Sequence, residues 1–161
     1  MLKSSREYLQ ALRQSNYLSF LEWPRFIATY YKPPNASVGF SADNIVDLLV
    51  FDWINNGYQP DDARAVAVLY KLNESRANLL PPELSYSALS IFIAVLQCMI
   101  YHSTDTYRNY RATSPKSAQE IIELMRIHSL QPSLLASSLQ EQQNKFSTLV
   151  EHITIKEMDL V

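Results

Sequence analysis

The stretch ALSIFIAVLQCMIY, Ala88 to Tyr101, is the most apolar in the chain and decides its fold. It runs for 14 residues with only Ser90 and Gln97 to interrupt it. Extended back to Leu84 it gains Ser85 and Ser87. A membrane span needs about 20 predominantly apolar residues, and runs of about 10–14 are usually buried core helices. The sequence therefore predicts a helix from about Ser85 to His102. It is apolar on nearly every face, so its Ser85 to Tyr101 portion is expected at the buried centre of the fold, with no membrane as partner.

The flanking segments read as helices with sharp breaks between them. Glycine occurs only twice, at Gly39 and Gly57, and proline eight times. Tight strand connections favour Asn-Gly or Asp-Gly, and the single Asn56-Gly57 follows a helical pattern. Working back from the central stretch, Pro60-Asp61-Asp62 opens a helix ending near Leu72. Ser41 is a candidate N-cap for a helix over Ala42 to Asn56, which Gly57 closes. Pro24 opens a short helix that ends before Pro33-Pro34. Ser4 and Glu7 have capping-box spacing at the start of a first helix running to about Asn16. Downstream, Ser114-Pro115 precedes a helix to His128, and a last one covers Ser133 to about Ile153. The final residues, Lys156 to Val161, are expected to fray. The fold class is all-α: an irregular bundle of about seven helices around a buried central one. Residues 1–161 form one domain.

The composition agrees. The 161 residues weigh 18.5 kDa, 47% are hydrophobic and 19% charged, which is enough apolar material for a core. Sixteen acidic side chains outweigh fourteen basic ones, for a net charge of −2 and a pI near 5.9. That balance argues against a generally cationic nucleic-acid binder. One cysteine, Cys98, cannot pair internally. The N-terminus has no apolar signal region after Lys3, so the expected location is cytoplasmic.

Motifs that carry chemistry are sparse. Cys98, His102 and Asp105 lie at i, i+4 and i+7, a spacing that could hold zinc or pair a thiol with a base. The simpler reading is a core cysteine followed by a helix end. His128 and His152 read as surface residues. A glycine-rich phosphate loop cannot be built from two glycines, and no nucleophile elbow, HExxH or CxxC occurs. No catalytic residue, metal or cofactor is expected. Tyr107 to Lys116, YRNYRATSPK, interleaves aromatic and basic residues and could stack on bases.

The most informative feature is charge segregation. From Pro33 to Ala63 there is no lysine or arginine, while Asp43, Asp47, Asp52, Asp61 and Asp62 all fall there. Tyr58 and other aromatics lie in or beside that window. Carboxylates steer a cationic partner and aromatic anchors add affinity. The sequence thus predicts a non-enzymatic protein-binding module with Asp43, Asp47, Asp52, Tyr58, Asp61 and Asp62 as its contacts. In size and charge it resembles bacterial immunity proteins: an antitoxin-type inhibitor whose acidic face occludes a basic nuclease toxin. The alternative is a small helical regulatory or nucleic-acid-binding domain that uses Tyr107 to Lys116.

Overall fold

A computed structural model describes residues 2–33, 37–75, 82–103, 117–128 and 132–154. Its described elements are all helical: α1 (Ser5–Arg13), α2 (Tyr17–Phe20), α3 (Trp23–Tyr30), α4 (Ala42–Asn55), α5 (Pro60–Ser75), α6 (Pro82–Ser103), α7 (Ala118–His128) and α8 (Pro132–Glu151). No strand occurs among the described residues. The expected connection of Asn35 to Phe40 and the tail from Lys156 to Val161 fall partly or wholly outside the described residues.

The helix starts follow local chemistry. Ser4 is extended and its Oγ accepts the Glu7 N–H at 3.3 Å, as its spacing predicted. Ser41 does the same for the Asn44 N–H at 3.2 Å. α4 ends at Gly57, whose φ of +85° is the left-handed conformation that glycine adopts without a Cβ clash. α7 starts later than expected, with Ser117 rather than Ser114 accepting the Glu120 N–H.

α6 packs against α3, α4, α5 and α8, so it is the hub of the bundle. Ala88, Ile91, Ala94, Val95 and Cys98 are fully buried and lie along one stripe of its surface. Leu84–Ser103 is long and apolar enough to cross a membrane by length and composition, yet half of it is buried inside the protein. It is not buried all round, as its composition suggested. Tyr86, Leu89 and Ile93 are 74%, 55% and 42% exposed. Within the same core, Phe20, Trp23 and Trp53 tie α2 and α3 to α4, with the two tryptophan rings edge-to-face at 5.3 Å.

Candidate protein-docking face

The direction of α4 relative to α6 places the site. These helices share the broadest interface among the described elements. Tyr58, just past the end of α4, meets His102 near the end of α6, with ring centroids 5.5 Å apart. Near the same end, the Trp53 indole is bonded to Asp62, whose charge reaches Cys98. Two helices that share a long interface and have neighbouring C-terminal ends run in the same direction. Asp43 stands ten residues, about 15 Å, before Trp53. The same step back from Cys98 reaches Ala88, between Tyr86 and Leu89. The acidic start of α4 and the apolar exposed start of α6 therefore lie at one end of the molecule.

The carboxylates there are strained electrostatically. Asp43 and Asp47 share one face of α4, one turn apart, with Asp43 exposed and Asp47 half-buried. Burial, and then the charge of Asp43, push the Asp47 carboxyl up to about 6. Among the described residues no cation is paired with either aspartate, so a partner's cation would be well received.

The other predicted contacts are elsewhere. Asp62 has no exposed side-chain surface. It accepts Arg13 Nε and Nη2, both at 2.9 Å, the Trp53 indole N–H at 3.1 Å and the Gln59 N–H at 3.0 Å. The last of these is the N3 half of a capping box at the start of α5. Arg13 Nη2 also donates to the Gly57 carbonyl, which fixes the α4–α5 turn. Asp52 is likewise buried and accepts hydroxyls from Ser5 and Tyr31. These two charges are spent on the fold, and neither can meet a partner. Tyr58 is half-buried between Trp53 and His102, with its hydroxyl pushed up by burial. Asp61 is exposed at the start of α5.

Cys98 is fully buried, and burial and then Asp62 push its thiol up, which makes it unreactive. His102 is exposed and ring-packed on Tyr58. Asp105 and the whole Tyr107 to Lys116 segment lie outside the described residues. Among the described residues no group of histidine, cysteine and carboxylates could hold a metal. The sequence reading missed Tyr86, Leu89 and Ile93, because an exposed apolar residue and a core one look the same in sequence.

Residues 4–153 match the family described as the Lpg0393 VPS9-like domain. The chain belongs to that family. It is also similar to the crystal structure of Lpg0393 from Legionella pneumophila, with a TM-score of 0.88 and 37% identity. That similarity covers 99% of this chain and 63% of the Lpg0393 chain, so the domain spans under two-thirds of that relative. No curated protein sequence matched. The family corrects the expected partner and role. The domain is not an immunity or antitoxin-type inhibitor, and a basic nuclease toxin is not its partner. The charge pattern misled because two of its five aspartates are interior anchors, as described above.

Proposed function

We propose that this domain binds a small GTPase at the α4–α6 end and promotes release of its bound nucleotide. Membership of a VPS9-like family supplies the partner class. The single observation in the chain that supports the reading is the exposed stripe of Tyr86, Leu89 and Ile93 on an otherwise core helix. Three large apolar side chains at i, i+3 and i+7 form an anchor row for a partner's apolar surface. Asp43 and Asp47, at the start of α4 near the same end of the bundle, would meet a cationic group on the GTPase. Exchange needs no covalent chemistry from the domain. It follows if the face binds the nucleotide-free GTPase more tightly than the loaded one, since such binding weakens nucleotide affinity by the same factor.

The test is release of a fluorescent guanine nucleotide from a panel of loaded small GTPases. At least one should be accelerated by the wild type. Leu89→Asp or Ile93→Asp should cut that acceleration tenfold or more while leaving the circular dichroism spectrum unchanged. A panel with no accelerated member, or full activity in both variants, rejects the proposal.

A further inference from the structure

The buried carboxylate of Asp52 has no part in the face proposed above, and its surroundings are unusual. Asp52 is 8% exposed in the middle of the bundle. One oxygen accepts the Ser5 hydroxyl at 2.6 Å and the other accepts the Tyr31 hydroxyl at 2.5 Å. Ser5 Oγ also accepts the Trp23 indole N–H at 2.9 Å. Three segments thus converge on one side chain of α4: the first residue of α1, the first residue of α3, and the residue that caps the end of α3.

Among the described residues no cation is paired with this carboxylate. On α1, Arg13 is bound to Asp62, and the Glu7 carboxylate accepts the Lys3 N–H. Arg6 faces a separate cleft with Gln10 and Asn55. On α3, Arg25 pairs with Glu22 in the preceding turn. On α6, Cys98 is coupled to Asp62 and Tyr58, and His102 packs on Tyr58. On α7, Arg126 pairs with Glu123, and Glu120 is exposed. Among the described residues Tyr31 is the titratable group hydrogen-bonded to Asp52, and burial first and then Asp52 push its hydroxyl up, so it stays a neutral donor.

We infer that Asp52 is an acid-tightened latch, a carboxyl whose neutralisation holds α1 and α3 more firmly on α4. Burying an unpaired charge is unfavourable, and the two hydroxyl bonds offset only part of that cost. A proton on the oxygen facing Tyr31 removes the charge without breaking the geometry. The new O–H donates to the phenol oxygen, and the half-buried phenol turns its own hydrogen towards solvent. Ser5 continues to donate to the second oxygen. Burial raises the Asp52 carboxyl in the folded state, whereas on opening it returns to the ordinary carboxylate range. The closed form therefore binds the proton more tightly. Opening becomes rarer as pH falls through the folded value, and it levels off below the open-state value.

The experiment is amide hydrogen exchange of α1 and α3 in the whole chain, stepped from pH 7.0 to pH 4.0 towards the ordinary carboxylate value of about 4 and corrected for intrinsic rates. In the wild type, the opening constant of these amides should fall several-fold on acidification, and by no more than tenfold per pH unit for one proton. Asp52→Asn, which mimics the neutral carboxyl, should abolish that dependence. Asp47→Asn, which removes the other raised carboxyl, should leave it in place. Tyr31→Phe removes one donor to the charged form and should move the midpoint to higher pH. A pH-independent wild type overturns the latch, as does an Asp52→Asn protein as steep as the wild type. If Asp52→Asn does not fold, an unmoved midpoint in Tyr31→Phe overturns it instead.

Discussion

Single residues decide which charges a helical bundle can keep inside. Asp62 is buried with four donors around it, and Arg13, about one-third exposed, carries its counter-charge. Removing one partner of such a pair strands the other, which costs about 3–5 kcal/mol. Arg13→Ala is therefore expected to lower the urea-derived stability at pH 7 by about that amount. Asp61→Ala, one residue earlier and exposed, should change it by less than about 0.5 kcal/mol. Equal effects of the two would contradict the assignment. None of this was readable from the sequence. The spacing of Asp61-Asp62 announces a helix start, and both residues look equally solvated there. Arg13 lies 49 positions before Asp62, and only the tertiary fold brings them together.

At the scale of elements, the sequence was most legible where the signal is local. Ser4 and Ser41 cap the helices they were expected to cap, and the apolar run from Ala88 became the hub helix. Its orientation was not legible, because apolar composition does not say which side faces protein. The core stripe can be tested directly. Val95→Asp puts a charge on a fully buried position of α6 and should prevent folding, since unfolding stabilities are only about 5–15 kcal/mol. A cooperative thermal transition in that variant would refute the packing described. α4 gives a second prediction, in which stability and docking respond to pH in opposite directions. The Asp47 carboxyl titrates near 6, above its unfolded value, so its contribution to stability increases as pH falls through 6. Nucleotide release by the α4–α6 face should weaken over the same range, because the charge offered to the partner disappears. Comparing the domain at pH 7.5 and 5.5 should show that loss in the wild type. Asp47→Asn should be slower at pH 7.5 and nearly independent of pH. An identical pH response in the two proteins would remove Asp47 from the face.

Across the whole molecule, a few polar ties join segments far apart in the chain. Asp52 fastens α1 and α3 to α4, and Asp62 fastens α1 to α5. The Lys71 ammonium reaches from α5 to the far end of α8, donating to the carbonyls of Val150 at 3.3 Å and Ile153 at 2.9 Å. The Val150 carbonyl also accepts the Ile153 N–H at 3.2 Å in the turn that ends the helix, and a cation at a helix C-terminus complements its dipole. Lys71→Met should cost about 1 kcal/mol and speed amide exchange over residues 148–154, with α1 unaffected. Unchanged exchange there would mean the tie is not formed in solution. The all-α fold class was legible from composition and periodicity, whereas the partner was not, because a count of carboxylates does not separate buried ones such as Asp52 and Asp62 from exposed ones such as Asp43 and Asp61. Cys98 offers a built-in clock for motions of the whole body. Its sulfur is sealed at the hub, so a thiol-modifying reagent can reach it only during openings that part α6 from its neighbours. The labelling half-time, set against that of the unfolded chain, then counts how often the hub comes apart, one molecule at a time, without any denaturant.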